Sequence, residues 1–490
     1  MKNIMKNIIY QLLPRLWNTG KFAGVDTASL AYWKGLGVDY LWYTGIIRHA
    51  SLSSGEKVVK GDAGSPYAIT DYFDVNPYLA GRPEKRMEEF EDLVKRTHEA
   101  GLKVIIDFVP NHVAREYRGD LGAGDDVTVH WAPENDFFYY PAQALKLPVN
   151  TDYTEMPAKA SGNCFTPTPG INDWWETVKL NYCDFHTATW DKMYRAVRFW
   201  AGKGIDGFRC DMVELVPPQF MQWLIARIKE EFPSVIFVAE VYQKEKYRMY
   251  VEEVGFDFLY DKCGLYDTLR AVTCSEASAK GISWNWQFLG ALQPHMLNFL
   301  ENHDEQRLPS VFFAGSAQAG YAALAVSALL NTAPFMLYFG QEIGEKGMQA
   351  EGFSGLDGRT SIFDWCTVAS LQRLRQWLEE GSAGLRPEER AVLERYKEVL
   401  ELAKDPVFSQ GETYDLCYCQ DSGHFNPDRH FAWLRSSGKR TVLVIANFGD
   451  EADITVRIPT EALDYLGIKA VRTVYTETVP SKDFIRIEVQ

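Results

Sequence analysis

The sequence predicts an α/β fold built on a (β/α)8 barrel, with a subdomain inserted after the third strand and an antiparallel β domain at the C-terminus. Three observations carry this. Eight strand-like runs alternate with helical segments up to residue 340, the pattern of a parallel sheet. Several of these runs close on a carboxylate, and barrels gather functional groups at the C-terminal ends of their strands. After about residue 405 apolar and polar residues alternate between turn signals, as antiparallel strands require.

IIYQLL (8–13) reads as the first strand, followed by a helix near 26–36 and the strand VDYLWYT (38–44). A loop rich in Gly and Ser leads to a helix around 84–100 and then to KVIIDFV (103–109). From 113 to 180 the chain is irregular, and this stretch is too long for an ordinary loop. Helical periodicity resumes at 187–203, before IDGFRCD (205–211), a helix at 218–231 and VIFVAE (235–240). A helix around 244–253, FDFLYDK (256–262), helices across 264–292 and MLNFLE (296–301) come next. A helix at 317–331 leads to PFMLYFG (334–340). From Asp211 to Glu240 is close to one βα unit of a barrel with ~250 residues in eight units. A doubly wound open sheet is disfavoured, because no Gly-rich dinucleotide or phosphate loop follows the first strand. The barrel is therefore placed at 1–112 and 181–404, the subdomain at 113–180 and a small β-sandwich at 405–490. The sandwich strands are expected in HFAWLR, RTVLVIANF, ADITVRI, RTVYTE and DFIRIEV.

A formal net charge of -15 argues against nucleic acid or an anionic membrane as partner. The 14 Trp and 25 Tyr read first as a large core. Eight scattered cysteines include no paired CxxC, so a structural zinc is not expected. Cys417 and Cys419 form a CxC that reads as alternating residues of a strand. The N-terminal MKNIMKNIIYQLLPRLW is broken by Gln11, Pro14 and Arg15, and reads as a strand rather than a secretory leader. No run approaches the ~18 apolar residues of a membrane span. A cytoplasmic location is the expectation.

The carboxylates end their runs in a recurring way. GIDGFRCD closes on Asp211, VIFVAE on Glu240 and MLNFLENHD on Asp304, while KVIIDFVPNH brings Asp107, Asn111 and His112 to a similar position. Glycosidic cleavage needs one carboxyl on each side of the scissile bond, ~5 Å apart if configuration is retained. Neighbouring strand tips can supply that span. DFVPNH (107–112), GFRCD (207–211), VAE (238–240) and ENHD (301–304) resemble, in order, the four signature regions of the α-amylase superfamily, glycoside hydrolase family 13. IYQLLPRLW, SPYAITDYFDVNP (65–77) and PFMLYFGQEIG (334–344) support the resemblance.

The resemblance implies a retaining hydrolase of α-1,4-linked glucans or maltodextrins, with a covalent glycosyl-enzyme on Asp211. Glu240 would be the general acid/base, and Asp304 would hold ring hydroxyls. His112 and His303 would hydrogen-bond the same sugar and Tyr67 would stack beneath it. Arg209, two residues before Asp211, points to the same side by period-two geometry. It is expected to bind near the substrate and to lower the pKa of Asp211, while Glu240 needs a raised one. Asp107 is expected to fix the cleft and Arg209, and Asp71 to be buried and structural. Trp174 and Trp175 are candidates for stacking on a glucan.

Asp211 is followed by Met212-Val213-Glu214-Leu215, where many starch-cleaving relatives carry a small pair and then Lys-His. Glu214 replaces the Lys and Leu215 the His. That His commonly joins a calcium site with the Asn matching Asn111, which leaves Asn111 as the single metal candidate. No cofactor is required by this reading. An α-glucan transglycosylase or sugar isomerase would use the same triad. A non-catalytic glucan-binding or scaffold relative is the rival of another class, and the intact triad speaks against it. The loops in 113–180 and 343–365 carry no pattern that fixes endo or exo attack, and oligomeric state leaves no trace in the sequence.

Overall fold

Strands buried on both faces must be apolar nearly throughout, and a sheet made of them persists only where side chains fill one side and helices cover the other. Eight such runs are present in the computed structural model, which describes residues 6–118, 136–182, 188–348, 356–381, 383–421, 423–438, 440–469 and 471–489. They are β1 (Ile8–Leu12), β2 (Tyr40–Tyr43), β3 (Lys103–Phe108), β4 (Gly207–Cys210), β5 (Ile236–Ala239), β6 (Phe258–Tyr260), β7 (Met296–Phe299) and β8 (Phe335–Tyr338). Each pairs in parallel with its neighbours in sequence, and β1 closes the ring on β8 with Ile8 opposite Phe335. The barrel inferred from the sequence is therefore the barrel observed. In the register of the central strands, Arg209 of β4 lies opposite Asp107 of β3 and Val238 of β5.

The covering helices are amphipathic where one face meets solvent. Thr27–Gly35 begins with Asp26 accepting from the Ser29 N–H, and Arg86–Glu99, Ala188–Gly202 and Pro218–Glu231 follow. The helix expected around 244–253 is instead a 3-10 turn at Lys244–Lys246 and a π-type turn at Met249–Val254, ended by Gly255 at φ +95°. Two helices, Ala369–Glu380 and Pro387–Lys404, occupy a stretch the sequence reading left without elements. Tyr321–Leu329 is buried at every position. It packs between β7, the helix Pro387–Lys404 and the C-terminal sheet, and a helix apolar all round has no other stable place.

Between β3 and the helix Ala188–Gly202, His112–Ala114 pairs antiparallel with Thr177–Lys179, His112 lying opposite Lys179. Arg115 is buried there, donating to the Trp175 carbonyl (2.6 Å), Ser161 Oγ (2.7 Å) and Glu155 (2.9 Å). These bonds fix the stretch carrying Trp174 and Glu176. The C-terminal part holds a four-stranded antiparallel sheet (Glu412–Asp415, His430–Ser436, Thr441–Asn447, Phe484–Glu488) and a two-stranded one (Ala452–Arg457, Val474–Val479). Leu434, Leu443, Ile445, Ile454 and Tyr475 pack between them. Cys417–Cys419 forms a short helical turn rather than the expected strand, and the described cysteines are free. No helix among the described residues is long and apolar enough to cross a membrane.

Candidate active site

The site forms at the C-terminal ends of the barrel strands around Arg209. Strand alternation turns Arg209 and Asp211 to one side, and Arg209 Nη1 lies 2.7 Å from Asp211 Oδ1. Its Nη2 is 2.8 Å from Glu240 Oε2, and Asp107 stands 3.9 Å away. The guanidinium is 1% exposed and faces the rings of Trp42, Tyr67 and Tyr260 at 5.4–5.6 Å. Cation–π contacts of this kind help a desolvated Arg keep its charge.

Directly after Asp211 the chain turns sharply. Met212 sits at φ +44°, a left-handed conformation costly for a residue with a Cβ. The turn brings the Met212 N–H to Glu240 Oε2 at 3.0 Å. Glu240 Oε1 accepts from the Tyr242 hydroxyl at 2.8 Å, and Glu214 Oε2 holds the Tyr242 N–H at 2.7 Å. Glu214, unusual at its position, thus anchors the residue that bonds Glu240.

His303 receives Gln11 Nε2 on Nδ1 (2.7 Å), which leaves the ring proton on Nε2. That nitrogen faces Tyr67 Oη (2.6 Å) and Asp304 Oδ2 (3.0 Å). Tyr67 stacks on His303 with centroids 5.3 Å apart and also donates to Asp107 (3.3 Å). Trp42 Nε1 donates to the other oxygen of Asp107 (3.1 Å), so Asp107 ties the floor together. His112 accepts from Asn111 Nδ2 (3.0 Å) on Nδ1 and lies 5.1 Å from the Trp174 ring. Asp71 is half-buried, not fully buried as expected, and accepts from the Phe73 N–H.

Burial sets the protonation pattern. Asp211 is pushed up to about 7 by burial and by Glu240 and Asp304, against the pull of Arg209. This overturns the expectation of a lowered Asp211: the cost of burying its charge, with repulsion from Glu240 and Asp304, outweighs the pull of Arg209. Asp304 is lowered, since His303 and Arg209 outweigh its burial. His112 is pushed down to about 3 by burial and by Lys179, which keeps it neutral.

Tyr67, His112, Asp211, Glu240, His303 and Asp304 line one cavity of about 170 Å³. Trp174 lines it too, whereas Trp175 is 4% exposed, outside the cavity lining, with Lys60 5.9 Å from its ring. The sequence reading missed Lys60, Glu176, Tyr242 and Phe363, which also line it. Only Tyr242 left a signal, standing two residues beyond Glu240. Larger cavities of about 460, 410 and 390 Å³ hold none of the expected site residues.

The model of the alpha-amylase catalytic domain matches residues 14–398. This chain belongs to the α-amylase family. It is 25% identical to "Alpha-amylase 3" of Dictyoglomus thermophilum over 66% of this chain and 60% of that protein. It is 28% identical to "Trehalose-6-phosphate hydrolase" of Bacillus subtilis over 43% of this chain, but only 35% of that protein is covered. With "Probable oligo-1,6-glucosidase 3" of the same organism it shares 23% identity over 90% of both chains. Among solved structures, a maltogenic alpha-amylase AmyB from Thermotoga neapolitana has the same fold, with a TM-score of 0.67, 20% identity and coverage of 99% of this chain and 97% of that one.

A calcium ion, common in the α-amylase family, would need about six to eight oxygens around it. At Asn111 a buried ammonium stands in its way. Lys179 Nζ donates to Asn111 Oδ1 and to the Leu215 carbonyl (2.6 Å). These are the two positions where the resemblance places metal ligands, and a divalent cation beside that ammonium would be repelled. The residues here do not fit calcium.

Proposed function

We propose that this α-amylase family member is a glycoside hydrolase that cleaves α-1,4-glucosidic bonds in maltodextrins with retention of configuration. The observation that carries this is Arg209, whose single planar fork touches both Asp211 and Glu240. Two carboxyls bridged by one guanidinium suit the ~5 Å pair of a retaining enzyme better than the wider pair that leaves room for a water.

In the first step Asp211 attacks C1 while Glu240 gives its proton to the departing glycosidic oxygen. The C1–O bond to the leaving sugar breaks as the bond to Asp211 forms. Glu240, now ionised, then takes a proton from water, whose oxygen attacks C1 and frees Asp211. Asp304 and His303 hold adjacent ring hydroxyls, Tyr67 supports the apolar face of the ring, and His112, neutral, can donate or accept. Tyr242 steers the Glu240 carboxyl.

Asp211→Asn and Glu240→Gln should each lower turnover on maltotriose by at least about 10³-fold without unfolding. Near-normal hydrolysis by either variant removes the assignment. Proton NMR of fresh product should show the α-anomer first. The names of the relatives include both amylase and oligo-1,6-glucosidase, so isomaltotriose run beside maltotriose tests the linkage. Faster cleavage of isomaltotriose would reassign it.

A further inference from the structure

We infer that the site is a single-residue pocket and that the enzyme removes one glucosyl unit at a time from non-reducing ends, with Phe363 and Lys60 as specificity-determining residues. This rests on the α-1,4-hydrolase reading above. The bond to be broken lies between Asp211 and Glu240, so the far end of the bound ring, its C4 end, points away from β4 and β5. In an eight-stranded ring the strands opposite these are β8 and β1, and β2 lies beside β1. The segment after β8 brings Ile362 and Phe363 to the cavity, and the segment after β2 brings Lys60 and Ser65.

Among the described residues these two segments are locked to each other. The N–H groups of Ala63 and Gly64 both donate to the Phe363 carbonyl (2.9 and 3.1 Å). The Asp62 N–H donates to Asp364 (3.3 Å) and the Trp365 N–H to Asp62 (2.9 Å). Arg15 donates from beneath to the carbonyls of Ala63 and Ile362. Gly61, at φ +71°, approaches so closely that a Cβ would lie 2.3 Å from the Phe363 carbonyl oxygen. A third segment joins them: Glu176 pairs with Lys60 at 3.4 Å, and the same ammonium lies 5.7 Å from the Phe363 ring.

The result is a wall where a cleft for a longer chain would continue. The space left in front of it, about 170 Å³, is well below the ~300 Å³ at which pockets begin to take extended ligands. One sugar ring fits such a space, and a second beyond its O4 would meet the wall. The Lys60–Glu176 pair offers an ammonium donor beside a carboxyl, which suits the O4 hydroxyl that a free non-reducing end exposes and a chain interior does not.

The test uses the whole enzyme and two forms of p-nitrophenyl α-maltoheptaoside, one free and one with its non-reducing O4 and O6 tied in an acetal, with first products separated by chromatography. Glucose and the hexaoside should appear first from the free form, and the blocked form should be consumed at least about 100-fold more slowly. Comparable consumption of both, with blocked oligosaccharides released, overturns the inference while leaving hydrolysis intact. An inert free form overturns the α-1,4 reading and this inference with it. The variant Phe363→Ala/Lys60→Ala should release maltose among its first products. Glucose alone from the folded variant would remove the wall from Phe363 and Lys60.

Discussion

Asp211 is where burial and ion pairing pull in opposite directions, and burial prevails. Its ordinary value of 3.8 is raised to about 7 in the folded protein. Between those values the folded chain holds a proton that the unfolded chain has lost. Stability is therefore undiminished below about pH 4 and declines as pH rises toward 7, by up to about 4 kcal/mol for a shift of that size. Asp211→Asn, which cannot ionise, should stabilise the protein by about 2–4 kcal/mol at pH 8 and by much less at pH 4.5, measured by urea unfolding. Equal effects at both pH values would contradict the raised pKa. The nucleophile must be ionised, so kcat/KM should fall about tenfold per unit below pH 7. The sequence revealed that Arg209 and Asp211 share a side, because strand alternation is a local rule. It did not reveal how deeply both are buried or that Glu240 competes for the same guanidinium, which depend on the neighbouring strand.

Among elements, the barrel strands were legible because each is a short apolar run ending at a polar tip. The helices Ala369–Glu380 and Pro387–Lys404 lie beyond the last strand, where no following strand marked them out as connections. Lys179 shows a harder limit. It belongs to no motif, and only the pairing of His112–Ala114 with Thr177–Lys179 carries its ammonium to Asn111 and Leu215. The same pairing places Trp174 and Glu176 beside the cavity. We predict that prolonged chelation leaves activity unchanged. Lys179→Met should cost about 3 kcal/mol, since two hydrogen bonds from a charged donor are lost and two buried acceptors are left without it. Added calcium should not restore the melting temperature of that variant, and full rescue would show that the metal site exists after all.

Over the whole molecule, the C-terminal sheet is part of the barrel's support. Phe431, Trp433, Val442, Val444 and Phe484 belong to the same apolar cluster as the barrel helices. Arg435, 1% exposed, donates to the Phe408 carbonyl (2.6 Å) and to Thr413, which bonds the Leu330 carbonyl. Burial pushes Arg435 down to about 9 against a smaller opposing pull from Glu412, because its direct hydrogen-bond acceptors are neutral oxygens. A chain ending at residue 405 should therefore not yield a stable barrel, and calorimetry of the full chain should show one transition. Two well-separated transitions would mean the two parts fold independently. The alternation of HFAWLR and RTVLVIANF announced strands, but not that one face of them would complete a core begun far earlier. The helix Tyr321–Leu329 draws this out in time. Synthesis runs from the N-terminus, so this helix leaves the ribosome before the strands at His430–Ser436 and Thr441–Asn447 that cover one side of it. In that interval the nascent barrel shows a greasy flank with nothing to shelter it, an opening for chaperones or for aggregation. A stall late in translation should therefore be more damaging here than in a chain whose barrel is finished when its last strand is made.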